Sequence, residues 1–396
     1  MSAVRASALP LPVARSEGID GVLLGLWLVL LGLGIVAVSS ASMELAASRF
    51  GDPWHHLVRH GIYLFVALCG FAFVLAIPTD FWRRLGAASY FVTIVLLLLV
   101  LVPGLGREVN GALRWVALGP VSFQPSEAAK FLLVVYVAHY LARRQDDVRA
   151  SFMGMVRPLG WLLIPAMLLL AEPDLGATVV IFGASAGAIL LAGARLRDMG
   201  VLVLIGAGAL AAAVYTSPYR MARLNAFLDP WAVQYGDGYQ LTQALIAFGR
   251  GEWFGVGLGE GLQKLFYLPE AHTDFIFAVI AEELGAVAAI AVCLLFAGLV
   301  LRGLWHGRAA EVRGDAFAAY LAYGAALMLG VQALVSLGVN TGLLPTKGLT
   351  LPFVSYGGNA LIASCALLAL CLRVDFENRA AAIEVPRERR RREVRA

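Results

Sequence analysis

The feature that most constrains this chain is a succession of apolar runs, each close to the length that crosses a lipid bilayer. Runs such as GVLLGLWLVLLGLGIVAVSS and LGAASYFVTIVLLLLVLVPG are continuous, and about 20 helical residues span the hydrocarbon core. Strands of a membrane barrel would instead alternate over about ten residues. Only 15% of the residues are charged and 60% are hydrophobic, whereas soluble domains average about 25% charged. The sequence therefore predicts an all-α polytopic membrane protein.

Hydropathy predicts about ten transmembrane helices, which together form one membrane domain over residues 21–373. Residues 1–20 and 374–396 are predicted as tails, the second strongly basic, and residues 218–273 as a large loop between helices 7 and 8. With both termini inside, 21 of the 31 Lys and Arg residues fall in inner segments and nine in outer ones. This bias follows the positive-inside rule, so both termini are predicted to be cytoplasmic. The basic tail is expected to meet solvent or membrane lipids, and no nucleic acid is expected as a partner. The ten helices are predicted near residues 21–40, 58–77, 85–103, 127–142, 158–172, 174–193, 199–217, 274–303, 316–340 and 353–373.

Acidic residues cluster where the eighth apolar run begins, in the stretch YLPEAHTDFIFAVIAEELG. Glu270, His272 and Asp274 precede this run, and Glu282 and Glu283 lie inside it. A lone aspartate here could simply cap the helix, but acids within a membrane are costly and usually functional. The two glutamates differ by about 100° around the helix. We therefore expect one to face a cavity and the other to face a neighbouring helix.

A second group of charges lies at the predicted outer end of the fourth helix, in QPSEAAKF. Glu127 and Lys130 are three residues apart and share one helix face. An unpaired lysine there would cost about 2.5 to 3.5 kcal/mol, so a structural ion pair and an anion-binding lysine are equally good interpretations. Arg114, in the preceding loop, adds a guanidinium of the kind that suits a diphosphate.

Three irregular segments interrupt the apolar pattern. The run from Pro158 to the EPD turn looks too short to cross the membrane, and Pro165 should break its helix, so Glu172 and Asp174 are predicted in a polar cavity below the outer surface. An exposed turn is the alternative. The segment NTGLLPTKGLTLPFVSYGG is expected to line a cavity mouth where Lys347 could meet an anion, unless it merely connects two helices. GRGEWFGVGLGEG lacks the lysine of a P-loop and is expected to be a mobile loop.

Taken together, NGALRW, FQPSEAAKF, EPDLGAT, YLPEAHTDFIFAVIAEELG and GLTLPFVSYGG resemble the SEDS family of peptidoglycan polymerases over about residues 20–375. The segment DGYQLTQALIAFGRGEWFGVGLGEGLQKLFYLPEAH is more similar to the cell-division branch of the family than to the elongation paralogue RodA. The resemblance implies a ten-span fold that polymerises lipid II, an undecaprenyl-diphosphate-linked disaccharide-pentapeptide. It places the protein in the bacterial cytoplasmic (inner) membrane at the division septum.

The resemblance also implies roles for individual residues. Asp274 matches the family's catalytic acid, and Arg114, Glu127, Lys130 and Lys347 match charged positions around the cavity. We expect these four to bind substrate. The same role is expected for residues found by their position in the sequence, namely Glu172, Asp174, Glu270 and His272.

The implied reaction needs only one catalytic carboxylate. An α-linked donor that yields a β-linked glycan is inverted, so a single displacement needs one base, here Asp274, to take the acceptor's proton. The departing diphosphate needs cations, supplied by Arg114, Lys130 or Lys347, or by a bound Mg²⁺ or Mn²⁺ whose ligands the sequence does not define. No organic cofactor is expected. Burial would raise the pKa of Asp274 and nearby cations would lower it, and the sequence does not decide between them.

The resemblance further implies partners: the class b penicillin-binding protein FtsI, a single-span transpeptidase, and the regulators FtsQ, FtsL and FtsB. A lipid II transporter is the main alternative, because intramembrane acids and broken helices also occur in substrate pathways. A membrane scaffold is a second. The polar residues concentrate at one face and no internal repeat is evident, which disfavours alternating access.

Overall fold

A helix covers each of the ten predicted membrane segments in the computed structural model, which describes residues 18–109, 112–119, 121–345 and 348–393. Within these residues, seven helices are long and apolar enough to cross a membrane, namely α1 to α3, α5 and α10 to α12, and α6 is a shorter apolar helix of 17 residues. The helices are α1 Gly21–Phe50, α2 His55–Ala76, α3 Thr79–Leu101, α4 Pro125–Ala150, α5 Phe152–Ala171, α6 Leu175–Leu191, α7 Leu196–Tyr215, α8 Pro218–Leu228, α9 Tyr239–Gly251, α10 Ile276–Arg313, α11 Ala316–Asn340 and α12 Gly358–Glu393.

Helix α5 corrects the prediction of a short, broken hairpin. It begins at Phe152, where the hydroxyl of Ser151 accepts a hydrogen bond from the Gly154 amide at 3.0 Å, and it continues for 20 residues through Pro158 and Pro165. Each internal proline removes one backbone hydrogen bond, which membrane helices tolerate when neighbouring groups compensate. The segment is therefore long enough to span the membrane.

The loop between α3 and α4 forms a small antiparallel sheet that was not predicted. Its strands are β1 Gly106–Val109, β2 Ala112–Leu118 and β3 Val121–Phe123, in the order β1-β2-β3. The register pairs Arg107 with Trp115 and Val116 with Phe123. Arg114 lies on the central strand β2, so the sheet fixes the backbone from which this guanidinium extends.

Helices α11 and α12 form the centre of the bundle and are buried along most of their length. Small residues allow this close packing. A Cβ at Gly303 would lie 2.8 Å from that of Ala326, and one at Gly330 would lie 2.9 Å from the side chain of Val300. Both pairs join α10 to α11, so these glycines set the spacing of the two helices.

The glycine-rich segment after α9 is not the free loop expected from the sequence. Helix α10 is interrupted at Gly285, whose φ of 80° and ψ of 179° leave helical geometry. The interruption leaves backbone groups of α10 without helical hydrogen bonds, and the loop forms hydrogen bonds with them. The Val256 amide donates to the Glu282 carbonyl at 3.0 Å, and the Ala286 amide donates to the Glu252 carbonyl at 2.8 Å. The loop is thereby hydrogen-bonded into the break of α10.

The carboxylates of Glu282 and Glu283 hold the same loop. Glu282 accepts from Arg250 at 2.8 Å, and also from the Leu262 and Gln263 amides. Glu283 accepts from Lys264 at 2.6 Å and from the hydroxyl of Ser40, on α1, at 2.8 Å. The expectation that one of them faces a cavity is wrong, because the loop folds back over the outer turns of α10 and pairs with both.

At the far end of α10, a buried ionic network joins three helices. Asp20, which precedes α1, accepts from Arg302 at 2.6 Å and lies 2.9 Å from Nε2 of His306. Nδ1 of His306 lies 3.2 Å from Asp375 of α12, which also pairs with Arg379 at 2.8 Å. The network therefore fixes this end of α1, α10 and α12 through charged hydrogen bonds.

Candidate functional site

Asp274 lies in the turn that leads into α10. The Glu270 carbonyl accepts from the Phe275 amide at 3.2 Å, which closes the turn. Phe275 is the N-cap residue of α10, and its own side chain makes no capping hydrogen bond. Capping therefore does not explain Asp274, whose carboxyl is left available for other interactions.

The turn is held by the end of α11. Asn340 is fully buried, and its amide nitrogen donates to the Asp274 carbonyl at 2.8 Å while its oxygen accepts from the Ala278 amide at 3.1 Å. One side chain thus fixes both the site turn and the first turn of α10. Sequence analysis missed Asn340; the signal was its position at the start of NTGLLPTKGLTLPFVSYGG.

The irregular segment before α12 lies beside Asp274. A Cβ at Gly348 would lie 2.9 Å from Oδ2 of Asp274. The Tyr356 amide donates to the His272 carbonyl at 2.9 Å, which ties the segment to the site turn. A side chain at this position would therefore require the Asp274 carboxylate to shift. Lys347, the predicted anion-binding residue, lies outside the described residues.

The surroundings of Asp274 raise its pKa to about 7. Burial is the main cause, and the charge of Glu270 adds to it, as does that of Asp174 to a smaller extent. The guanidinium groups of Arg114 and Arg223 act in the opposite direction. Burial thus outweighs the cations, and a carboxyl with this pKa can both take up and release a proton near neutral pH.

These electrostatic effects place three sequence-predicted residues, Arg114, Asp174 and Glu270, within reach of Asp274. Arg223, which belongs to α8, is an addition that sequence analysis missed. Its signal was the stretch RMARLNAFLDPW, which carries an apolar helical stripe between charges. The large loop between α7 and α10 therefore contributes a cation to the site.

Arg114 is bound to the EPD turn. Its Nε donates to the Glu172 carbonyl at 3.3 Å, and its Nη2 donates to the Pro173 carbonyl. The side chain of Asp174 caps α6 by accepting from the Ala177 amide at 3.0 Å. The sheet and the turn between α5 and α6 are thus joined through one guanidinium, next to the catalytic candidate.

The carboxyl of Glu172 is completely buried and that of Asp174 nearly so, although Pro173 between them is exposed. Neither of its oxygens has a hydrogen-bond partner within the described part of the chain. Burial raises the pKa of Glu172 to about 8, the charge of Asp174 contributes, and Arg114 opposes them. Glu172 is therefore mostly protonated and neutral at pH 7.

Lys130 and Glu127 form the predicted ion pair, with Nζ and Oε2 2.8 Å apart. Lys130 is only 1% exposed and also donates to Gln332, on α11, at 2.6 Å. Gln332 in turn donates to the Thr350 carbonyl at 3.0 Å. The pair therefore links α4 through α11 to the segment beside Asp274. A direct role of Lys130 in anion binding stays a prediction.

His272 packs against other rings. Its ring centroid lies 5.2 Å from that of His56 and 5.5 Å from that of Tyr356. Burial lowers the pKa of His272, although the charge of Glu270 opposes this. Glu270 itself accepts from the hydroxyl of Thr273 at 2.7 Å. The ring of His272 is thus a neutral side of the site, and its backbone carbonyl binds the irregular segment before α12 through the Tyr356 amide.

Among the residues that the structure describes, no group of three or more His, Cys, Asp and Glu side chains is arranged to hold a metal ion. The residues around Asp274 therefore do not form a ready-made metal site.

The fold and the site define a class: a polytopic membrane protein with an acid–base carboxyl held among guanidinium groups at one end of its helix bundle. The sequence profile of the family described as "Cell cycle protein", FtsW/RodA/SpoVE, matches residues 21–380. The chain belongs to this family.

Comparison with individual relatives agrees with this membership. The chain is 52% identical over 360 residues to the probable peptidoglycan glycosyltransferase FtsW of Nitrosococcus halophilus, covering 91% of this chain and 93% of the relative. It is similar to a chain solved in a study of how a peptidoglycan synthase complex coordinates polymerization and crosslinking, with a TM-score of 0.75, 30% identity and coverage of 92% and 99%. The rod shape determining protein RodA of Thermus thermophilus gives a TM-score of 0.67 at 30% identity, with coverage of 90% and 97%.

Proposed function

We propose that this protein is a peptidoglycan glycosyltransferase that polymerises lipid II into glycan strands for septal wall synthesis. The observation that carries the proposal is the carboxyl of Asp274, whose pKa of about 7 lies where a general base works best. Its relatives support the assignment, since the chain is about half identical to proteins described as probable peptidoglycan glycosyltransferases over more than 90% of its length.

In the proposed reaction, Asp274 removes the proton from the acceptor sugar hydroxyl. The oxygen attacks C1 of the donor sugar, a new C–O bond forms, and the bond between C1 and the diphosphate oxygen breaks. The electron pair leaves with undecaprenyl diphosphate, and the configuration at C1 inverts. Protonated Asp274 then releases its proton to water, which a carboxyl with a pKa near 7 does readily.

Developing charge on the diphosphate needs cations in place before the reaction. Arg114 and Arg223 are within electrostatic reach of Asp274 and are proposed to bind the diphosphate. Arg114 is held in position by the carbonyls of the EPD turn. Lys130 and Lys347 stay further candidates for this role, and Glu127, Glu172, Asp174, Glu270 and His272 are proposed to shape the substrate site.

The requirement for Mg²⁺ or Mn²⁺ stays a prediction from the sequence. Mg²⁺ is commonly held by one or two carboxylates together with substrate phosphates, so a site that is incomplete without substrate is compatible with it. Comparing the polymerisation rate with Mg²⁺, with Mn²⁺ and with a chelator tests the requirement.

The proposed setting is the inner membrane at the division septum, with ten spans and both termini in the cytoplasm. A class b penicillin-binding protein, FtsI, and the regulators FtsQ, FtsL and FtsB are proposed as partners. The likeness to a chain from a peptidoglycan synthase complex supports the first of these. Copurification of the full-length chain with each partner tests them.

The test of the activity is polymerisation of lipid II by the purified full-length protein, alone and with FtsI. Asp274→Asn keeps the shape of the side chain and removes the base, and we expect a loss of about 100-fold or more, the size of a general-base effect. Asp237→Asn makes the same change at an exposed position of the same loop and should leave the rate unchanged. Undiminished glycan synthesis by a folded Asp274→Asn protein would contradict the proposal.

A parallel assay of lipid II movement across vesicles separates the transporter alternative. A transporter would translocate labelled lipid II without lengthening a glycan, and Asp274→Asn would alter that movement. The proposal instead requires that only chain lengthening depends on Asp274.

A further inference from the structure

A cavity of about 640 Å³ lies at the opposite end of the bundle from Asp274. It is bounded by the start of α3, the last turns of α4 and the junction of α10 with α11, with Arg83, His139, Arg143, Arg313, Asp315 and Phe317 among its lining residues. Helix α10 runs from the site turn to this cavity, and its 38 residues correspond to roughly 55 Å at the usual rise per residue. The cavity is therefore separate from the proposed active site.

The cavity carries a surplus of positive charge. Among the residues that line the cavity, Asp315 carries the single carboxylate. It pairs with Arg83 at 2.8 Å and with Arg313 at 3.4 Å. It also caps α11 by accepting from the Ala318 amide at 3.1 Å. Asp315 thus orients two guanidinium groups but neutralises only one charge. Arg143, on α4, makes no ion pair or side-chain hydrogen bond with any described residue, so two positive charges remain uncompensated.

One of the cationic groups, Arg83, is held in place by the wall of the cavity. The guanidinium of Arg83 lies 5.4 Å from the ring centroid of Phe317, which is 2% exposed. The Arg83 carbonyl lies 3.0 Å from Nδ1 of His139. Stacking and hydrogen bonding therefore fix the floor of the cavity before any ligand arrives, which lowers the cost of binding.

The position of these arginines in the sequence corresponds to the headgroup level of the membrane. Arg83 immediately precedes the predicted third span, Arg143 immediately follows the fourth, and Arg313 lies between the eighth and ninth, all on the predicted cytoplasmic side. About two turns further along α3 from Arg83, the side chain of Phe91 is 66% exposed. The helix that carries Arg83 therefore offers apolar surface that suits acyl chains.

We propose that this cavity binds the phosphate headgroup of an anionic phospholipid of the inner leaflet. Basic pockets between transmembrane helices on the cytoplasmic side are suited to anionic headgroups, and a volume of this size is typical of small-ligand sites. The guanidinium groups of Arg143 and Arg313 contact the phosphate, and the acyl chains lie along α3. The bound lipid bridges α3, α4 and the junction of α10 with α11, so it stabilises their packing.

Native mass spectrometry of the purified full-length protein tests the proposal, with phosphatidylglycerol and phosphatidylethanolamine added separately as probes. Since one arginine near an anionic headgroup changes affinity by about fivefold, Arg143→Gln and Arg313→Gln should each weaken phosphatidylglycerol binding by about that factor. Phosphatidylethanolamine should bind more weakly than phosphatidylglycerol to the unmodified protein and should not respond to either substitution.

Arg84→Gln is the matched control, because Arg84 also begins α3 but is 81% exposed, pairs with Asp80 and does not line the cavity. It should change phosphatidylglycerol binding less than twofold. A loss equal to that of Arg143→Gln would show diffuse attraction and overturn the proposal, as would equal binding of the two lipids. Displacement of phosphatidylglycerol by millimolar inorganic phosphate would show a site for a soluble anion, which also overturns it. Unchanged melting temperatures of the variants exclude misfolding, and none of these outcomes depends on glycan synthesis.

Discussion

The raised pKa of Asp274 predicts how the polymerisation rate depends on pH. The base form of Asp274 is the carboxylate, so the rate should rise with pH and level off above about pH 7, where the pKa lies. At pH 7 about half of the molecules carry the base form and at pH 5 about 1% do, which corresponds to a loss of rate of about 50-fold. An aspartate with its ordinary pKa of 3.8 would stay about 90% ionised at pH 5 and would lose almost no rate.

The acidic limb of this profile is the pH range over which the rate rises with pH. Two neutralising substitutions should move it in opposite directions. Glu270 raises the pKa of Asp274, so Glu270→Gln should move the limb to lower pH. Arg114 lowers the pKa of Asp274, so Arg114→Gln should move the limb to higher pH and also reduce the plateau rate through weaker binding of the diphosphate. The rate is measured as glycan formed from lipid II between pH 5 and 8.5, with Asp237→Asn as the control that leaves the limb in place.

The two opposite shifts separate the enzyme's ionisation from that of the substrate. Ionisation of the lipid II diphosphate would produce the same limb in every variant. A rate that stays flat between pH 5 and pH 7 would refute the assignment of Asp274 as a base with a raised pKa. So would shifts of the same sign for Glu270→Gln and Arg114→Gln, because a change of fold rather than of charge would then be the cause.

Three further substitutions test the surroundings of the site. Lys130→Met leaves the buried carboxylate of Glu127 without its cation and should lower the free energy of unfolding by about 3 to 5 kcal/mol, seen as a lower melting temperature in detergent. Gly285→Ala forces a residue with a side chain into a left-handed conformation and places its Cβ 2.4 Å from the loop backbone, so it should lower both the melting temperature and the rate. In the control Gly298→Ala, the new Cβ meets only a side chain at 3.3 Å, so neither quantity should fall. Glu172→Gln should retain the rate at pH 7, because the pKa of about 8 keeps this carboxyl mostly neutral there; a large loss of rate at unchanged stability would show that its charged form is needed.

The sequence predicted the parts of the fold that depend on hydrophobicity over long windows. The positions of the helices follow from apolar runs, and the clustering of Arg114, Asp174, Glu270 and Asp274 follows from polar segments that a membrane brings to one level. Helix ends were less accurate, since α5 begins at Phe152, six residues before the predicted start. The start depends on one cap by a serine hydroxyl, which a hydropathy window does not register.

Contacts between distant segments could not be predicted in the same way. The pairing of Glu282 with Arg250 and of Glu283 with Lys264 joins α10 to the outer loop, and it depends on the path of the loop rather than on helical spacing. Spacing showed that the two glutamates differ in direction, but it did not show that a chain segment outside the helix would cover both. The role of Asn340 could not be predicted for the same reason, because its hydrogen-bond partners lie more than 60 residues away in the sequence.

These contacts explain how a base can stay at a fixed position at the end of a long helix. Helix α10 is broken at Gly285, only three turns after Asp274, and an unsupported broken end would move within the membrane interface. The loop hydrogen bonds at the break and the paired carboxylates of Glu282 and Glu283 hold its outer turns from one side. Asn340 holds the turn of Asp274 from the other side. Glu282 and Glu283 thus hold the outer loop against α10, whereas among the described residues the carboxyl of Asp274, which carries the proposed reaction, forms no cap or ion pair.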